Sequence, residues 1–454
     1  MKKNDFLNGN AVKSIVLFAL PIMLSSLLQF NYTLVDNIIV GRYVSSDALA
    51  AIGNVGSINS FIIGAALGLT SGFTIPVAHA FGEGNQKKIA RFSGSSISLS
   101  LLIGSVIVIV AHIISKPLLR LIGTPDEIIG MSSAYVNILY FGVPFQMLSN
   151  NFTAISRAVG ESKKPLYFYI VSVIVNFILD MLFVKYLHLG VEGAAAATLI
   201  SHITAMLLTG FYIIKVNENV TLEKRDFRLD RSVSLKQLKL GIPVCLQFTV
   251  TSVGTMFLQS AVNSFGANVM AGLTAAGRVE NITNISMSAL GVSTQSFVGQ
   301  NYGAGNYDRI VKSVRKLFLL ELGVSVFMSA LLISIGGPLV SLFTTEPNEA
   351  MMAAAHRYIL SIASCYSLVA VLFILRNTLQ GLGFTYANTV AGTGELFGRI
   401  FISTVMAKIF GFPAVCFAAP TAWLLADIPL AVIYLKKQKI FKQKAAEQKQ
   451  QKSD

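Results

Sequence analysis

Asp36 and Asp180 are the residues of this chain whose type and setting could do chemistry. Asp36 sits in the apolar run LPIMLSSLLQFNYTLVDNIIVG (20–41), which contains no Lys or Arg to neutralise it. A charge near the centre of a bilayer costs about 2.5–3.5 kcal/mol on insertion scales, so an acid at that depth points to ion or proton handling. Asp180 lies in VSVIVNFILDMLF with Asn176 four residues earlier, a spacing that puts both on one helix face. A carboxylate beside a carboxamide can coordinate Na⁺ or hold a carboxyl in either protonation state; a structural interhelical hydrogen bond is the alternative reading. Four further acids, Glu280, Glu321, Glu395 and Asp427, fall in apolar stretches, and Glu192 stands at the lip of one. Glu395 has Arg399 one turn away, which reads as an i,i+4 ion pair. Glu280 is two residues from Arg278 and so faces away from it, leaving Arg376 on another helix as its expected partner. Glu321 lies near the basic cluster that precedes its helix, and Asp427 falls in the last apolar stretch.

The elements that must hold these acids are membrane helices. Of the 454 residues 53% are hydrophobic and only 13% charged, against about a quarter charged in a soluble chain. At about 20 apolar residues per span, the chain reads as all-α and polytopic. Twelve helices are expected near 12–40, 48–80, 93–115, 132–156, 166–187, 191–215, 238–264, 272–300, 314–336, 354–380, 386–410 and 412–435. Charge supports the even count. With the N-terminus inside, twenty-seven of the Lys and Arg residues fall on segments of the inner face, while the outer face holds only Arg42, Lys116, Arg120, Lys185, Arg357 and Lys408. Cytoplasmic loops carry that excess, so both termini are expected in the cytoplasm and the protein in the plasma membrane. The first apolar run is too long for a cleaved signal and is expected to remain as a helix.

The chain also repeats itself. Pro21 in ALPIML recurs as Pro243 in GIPVCL, and AFGEGN (80–85) recurs as NYGAGN (301–306). KPLLRLIGT (116–124) matches GPLVSLFTT (337–345), Tyr135 matches Tyr358, RAVG (157–160) matches QGLG (380–383), and Gly190 matches Gly411, all at offsets of 221 to 223. Six crossings return a chain to the side where it began, so the halves are parallel repeats. Two six-helix bundles related by a pseudo-two-fold axis along the membrane normal are the expected architecture. The expected division is an N-terminal lobe at 1–216, a cytoplasmic join at 217–237, a C-terminal lobe at 238–435 and a basic cytoplasmic tail at 436–454. Small residues such as Gly64, Ala65, Ala66 and Gly68, and the run from Ala194 to Ala197, suit close helix packing in lipid.

Several function classes are disfavoured. The net charge of +14 is spread over loops of one membrane face and over a tail suited to anionic lipid, with no nucleic-acid reading motif. Cys245, Cys365 and Cys416 are widely spaced, and the five His residues show no paired-ligand spacing, so neither a disulfide framework nor a metal site is indicated. No GxxxxGK[ST] loop is present, which removes ATP hydrolysis as the energy source. GTGE (392–395) is a faint echo of membrane-embedded enzyme motifs, and that class stays as a remote alternative.

Pro21 ahead of Asp36 in VDNIIVG, the paired FGEGN and NYGAGN loops, RAVGESKKP, NFILD and GVEGAAAATLIS together resemble the multidrug and toxic compound extrusion (MATE) family over nearly the whole chain. The resemblance is strongest to the bacterial and archaeal branch that keeps its cation-coupling acids in the first lobe. It implies that Asp36, Asn176, Asp180 and Thr198 form the coupling site and that Pro21 is where the first helix bends. Another branch carries acids early in helix seven and in helix ten, where this chain has Thr251 and Val369. Coupling in the second lobe is therefore doubtful unless Glu280 substitutes, and the repeat carries Asp36 onto Leu258.

The function expected is secondary antiport without a cofactor: export of cationic or amphipathic organic compounds by a monomer in the lipid bilayer, driven by H⁺ or Na⁺, as two lobes rock. One elementary charge across 100 mV is worth about 2.3 kcal/mol, an adequate driving force. Gln29, Asn31, Tyr32, Asn150, Asn151 and Glu280 are candidate substrate contacts, and equally candidate interhelical hydrogen bonders. A lipid-linked oligosaccharide flippase of the same superfamily is the main alternative, but it would favour a basic cavity and two further helices. In a background lacking the native cysteines, single cysteines at 217–237 should react with an impermeant reagent only from the cytoplasmic side. Labelling from outside would contradict the topology.

Overall fold

The computed structural model describes residues 5–121, 124–343 and 348–451, without the side chains of Thr33, Ser46, Ser57, Leu121 and Lys449. Every regular element among them is helical. Eight helical stretches are long and apolar enough to cross a membrane, and two bent pairs bring the number to ten. The bent pairs are α6 (Asp126–Phe141) with α7 (Val143–Ala158), at 44°, and α13 (Glu349–Ser364) with α14 (Tyr366–Gly381), at 52°. Two of the twelve expected positions remain, and both are helical: α11 (Ala267–Gly303) and the stretch from α15 (Tyr386–Phe401) to α16 (Ala407–Phe410). They are less apolar because they bury polar groups, Thr283, Ser293 and Asn301 in one and Glu395 and Arg399 in the other.

The duplication is written into the backbone. While the matched Gly82 and Gly303 end helices, three pairs of repeated glycines have positive φ, Gly84 and Gly305 at +68° and +72°, Gly160 and Gly383 at +85° and +86°, and Gly190 and Gly411 at +62° and +67°. A side chain there would be strained, so the turn geometry explains why both copies keep glycine. The two bends also fall at matching positions, Gly142 and Cys365, and so do Pro117 in α5 (Gln86–Leu121) and Pro338 in α12 (Tyr307–Leu342). The ends of the repeated stretches 116–124 and 337–345 lie partly outside the described residues.

The chain forms two compact units, one of Leu20–Cys245 and one of Met1–Ala19 with Leu246–Asp454. The exchange points sit beside the duplicated prolines, in α2 (Ala11–Tyr43) and α10 (Arg231–Asn263). In the first unit, α3 (Ser46–Phe73) and α10 touch backbone to backbone: a Cβ on Gly68 would stand 2.7 Å from Cys245 Cα, and one on Gly72 would strike Gly241. Gln237 Nε2 seals the contact by donating to the Phe73 and Phe92 carbonyls at 3.0 and 2.8 Å. The segment expected as a polar join is partly docked, with Ser98 Oγ donating to Phe227 O at 2.7 Å and Gly94 making room for Asp226. Helix α10 begins at Arg231, earlier than the apolar pattern implies. The Asp230 carboxylate accepts from the Ser232 and Val233 amides at 2.9 and 3.2 Å, capping it.

In the second unit the short α1 (Asp5–Asn8) places Phe6 against Phe18 and Phe297, with ring centroids 4.9 and 5.7 Å away. Asn301 Nδ2 and Arg309 Nε donate to the Phe6 carbonyl at 3.1 and 3.2 Å. At the other end, α18 (Ala418–Gln450) runs on through most of the basic tail. That tail is not simply solvated, because Phe441 is buried and stacks on Tyr307 at 5.6 Å, with Lys444 over the same tyrosine.

Gly68→Leu should destabilise the protein by about 1–3 kcal/mol through overpacking, read as a lowered unfolding midpoint in detergent. Gly53→Ala, where nothing beyond its own helix lies within 4 Å of the added Cβ, should leave the midpoint the same or slightly higher. The Val233 amide, helped by Ser232 and Arg91, holds the Asp230 carboxyl below the usual carboxylate range. Its stabilising effect is therefore present at neutral pH and lost as pH falls through the lowered value. Asp230→Ala should lower the unfolding midpoint at neutral pH, and the deficit should close in acid.

Candidate cation-coupling site

The site is assembled within the first unit from α2, α8 (Lys163–Asp180) and α9 (Gly190–Phe211). Helix α8 has two unlike faces. Ile174, Phe177 and Ile178 are about half exposed, as lipid-facing residues are, while Ser172, Asn176 and Asp180 on the other face are buried. Helix α9 packs on α8, and its Ala194, Ala195, Ala197 and Thr198 are buried small residues of the kind that allow close approach. Ser172 Oγ donates to Ser201 O at 2.7 Å and ties the two helices together, and Ser201 Oγ donates to Thr198 O at 2.8 Å. Immediately after Asp180 the helix widens into a π-helical turn, Met181–Tyr186, a distortion frequent at functional sites.

Asp36 comes from α2 and lies within interaction range of Asp180 and Thr198. Asp180 is in range of Asp36 and Asn176, and Tyr32 is in range of Asp36, Thr198 and Ser201. Tyr135 on α6 faces both acids. These proximities are not closed into well-formed hydrogen bonds. Asp36 Oδ1, both Asp180 oxygens, Asn176 Nδ2, Thr198 Oγ1 and the Tyr32 hydroxyl are all buried without a partner. Buried polar groups are ordinarily paired, and a cluster of orphans that includes two carboxylates has free capacity to take a proton or a small ligand. The donor set suits it to a small cation: carboxylate, carboxamide and hydroxyl oxygens bind a hard ion, and either carboxylate can take a proton. Among the described residues no base acts on the two acids.

The structure thus brings Asp36, Asn176, Asp180 and Thr198 into one cluster, with Tyr32 beside them. Gln29 and Asn31 are exposed residues of α2. Asn150 Nδ2 is buried and unpartnered, whereas Asn151 accepts from Ser96 Oγ at 3.1 Å and so ties α7 to α5. Pro21 lies beside the point where α2 passes from one unit to the other, and Ser25 Oγ bonds back to the Pro21 carbonyl at 2.8 Å, a contact that favours bending. Tyr135, Ser172 and Ser201 were not singled out from the sequence. The recurrence of Tyr135 as Tyr358 was the one signal pointing to any of them.

Glu280 lies in the other unit, on α11, and its expected partner is wrong. Its oxygens accept from Tyr358 OH at 3.0 Å and Asn284 Nδ2 at 3.3 Å, with Tyr366 donating to Asn284 at 3.2 Å. Arg376 instead pairs with Glu395, which also holds Arg399 at 3.5 Å and accepts from Thr251 Oγ1 at 3.2 Å. The i,i+4 pair was legible in the sequence. The second arginine was not, because it arrives from another helix and neutral donors already satisfy Glu280.

The MatE family model matches residues 21–182 and 243–426, beginning in each half at a duplicated proline. The chain is 30% identical over 383 residues to the probable multidrug resistance protein YpnP of Bacillus subtilis (strain 168), covering 84% of this chain and 85% of that one. It is 28% identical over 393 residues to the probable multidrug resistance protein YoeA of the same organism, covering 85% and 84%. Its fold superposes on the outward-facing conformation of a multidrug resistance MATE family transporter with a TM-score of 0.90 at 22% identity, over 97% of this chain and 99% of that one. The chain belongs to the MatE family, multi-pass membrane proteins of twelve helices and the multidrug efflux type.

Proposed function

We propose that this protein is a secondary antiporter of the plasma membrane, with both termini cytoplasmic, that exports cationic or amphipathic organic compounds in exchange for H⁺ or Na⁺. The observation that carries this reading is the Asp36 and Asp180 pair, a half-buried and a buried acid within reach of each other, with oxygens left unpartnered and, among the described residues, no base beside them. Asn176 and Thr198 complete the coupling site. When the coupling ion arrives it cancels negative charge there, weakens the hold on an organic cation and favours one conformation, the differential affinity that a switch requires. The names of YpnP and YoeA, both probable multidrug resistance proteins, support the substrate class.

In this account Pro21 is the hinge of α2, and two lobes, 1–216 and 238–435, rock as a monomer to alternate access. Tyr32, with Gln29, Asn31 and Asn150, supplies polar contacts to substrate from the first lobe. Asn151 is held by Ser96 and contributes to packing more than to recognition. Glu280 contacts substrate from the second lobe.

The test is reconstitution in vesicles loaded with a fluorescent organic cation, with a pH gradient and a Na⁺ gradient imposed separately. One of the two gradients should drive the dye, at about tenfold accumulation per pH unit for each proton exchanged. Asp36→Asn and Asp180→Asn should each abolish the gradient-driven component, and Thr198→Ala should reduce it partially. Failure of both gradients to move the dye, or full coupling in both Asn variants, would contradict the proposal.

A further inference from the structure

The second unit contains a charged cluster that the coupling scheme above does not use. Glu395 on α15 is bonded by Arg376 from α14 and by Arg399 from its own helix, with side-chain exposures of 3%, 11% and 9%. Thr251 Oγ1 adds a third donor, and Arg399 Nη1 also donates to Thr251 O at 3.3 Å. Gly254 leaves room for the Arg399 side chain, since a Cβ there would lie 3.1 Å from Arg399 Cδ. Two guanidiniums on one carboxylate leave a buried excess of one positive charge.

Asp427 on α18 lies beside that excess, 6% exposed, with both oxygens buried and unpartnered. Arg376 Nε is buried and unpartnered as well. The charged groups acting on Asp427 are Arg376 from α14 and Glu395 from α15. Helices α12 and α13 also pack on α18; of their ionisable groups, Glu321 is buried with Oε1 unpartnered, and Arg357 acts on Cys416. An acid so placed has two ways to be satisfied: it takes a proton, or it takes Arg376 from Glu395. Glu395 tolerates the loss because Arg399 and Thr251 remain.

We propose that Asp427 is a second proton-binding site, located in the unit that lacks Asp36 and Asp180, and that Arg376 is its exchangeable partner. In the arrangement seen Arg376 is closed on Glu395, and the proposal assigns the proton to Asp427 in that state. On release, the Asp427 O–H bond breaks, the proton passes to water, and the Arg376 guanidinium, which stays charged throughout, moves onto the new carboxylate. The cluster goes from one net positive charge to none as one proton leaves. Two discrete positions of one arginine, biased by one proton, form a bistable element of the kind that conformational switches use. Its place in a transport cycle rests on the antiport proposed above, but its existence does not.

Infrared difference spectra of the full-length protein in lipid, recorded between acidic and alkaline pH, read protonated carboxyl groups directly and require no transport. A protonated-carboxyl band should vanish in D427N and persist in the D36N/D180N double variant. R376Q and R376K leave Asp427 in place, and R376Q should displace the pH at which that band disappears by about 1–3 units, the usual effect of one neighbouring charge. R376K keeps the charge and should displace it less. A D427N spectrum that superimposes on the wild type overturns the proposal, as does a band whose midpoint R376Q leaves unmoved; the latter test holds even should D427N fail to fold. Loss of dye transport in the Asp36 and Asp180 variants has no bearing on these spectra, so the two readings fail separately.

Discussion

A carboxylate at membrane depth needs a partner, and Asp36 and Asp180 are given no base. The arrangement around the two acids in the first unit is read from that constraint. Helix α8, which carries Asp180, packs closely on α9, whose buried alanines and Thr198 leave little bulk and where Ser172 reaches across to the Ser201 carbonyl. The acids cannot be silenced by an arginine, as Glu395 is in the second unit. Among the described residues no base pairs with them, and in the proposed function their partners are ions that come and go. A resident ion pair would fix the charge of the bundle; without one, the proposed function makes its electrostatics depend on the ion it binds.

The two units start from duplicated sequence and resolve the problem of buried acids differently. Their turns and bends coincide, with left-handed glycines at three matched pairs and helix breaks at Gly142 and Cys365. The matched tyrosines also meet acids in both, Tyr135 facing Asp36 and Asp180, and Tyr358 donating to Glu280. Yet Glu280 comes from α11, whereas Asp36 and Asp180 come from α2 and α8. The duplicated scaffold has kept its joints and exchanged its chemistry, which is why an offset that carries Pro21 onto Pro243 carries Asp36 onto Leu258.

Much of this was legible in the sequence, for identifiable reasons. Lipid demands long apolar helices, and the bias of Lys and Arg reports which loops lie inside, so twelve helical positions could be read from composition. The recurrence of glycines could be read, though not the positive φ that explains it, and Asn176 with Asp180 could be read because i,i+4 is a local rule. What was lost is non-local. Arg376 reaches Glu395 from a different helix, and Ser172 finds a carbonyl on α9; neither contact has a spacing in the chain. The start of α10 was misplaced because apolar periodicity sees the bilayer and not the Asp230 cap. The basic tail looked solvated because its charge outvotes Phe441, although one buried aromatic is enough to seat it.

The central claim is that one site in the first unit trades a small cation against an organic one. The most direct test adds tetraphenylphosphonium to purified protein in weakly buffered detergent and follows the released ion, by pH and, in a parallel series, by a Na⁺-selective electrode. The account predicts release of about one coupling ion per bound organic cation, as reciprocal linkage requires, and its loss in Asp36→Asn and in Asp180→Asn. Equal release from those variants, or organic-cation binding by the wild type with no release of either ion, would contradict it.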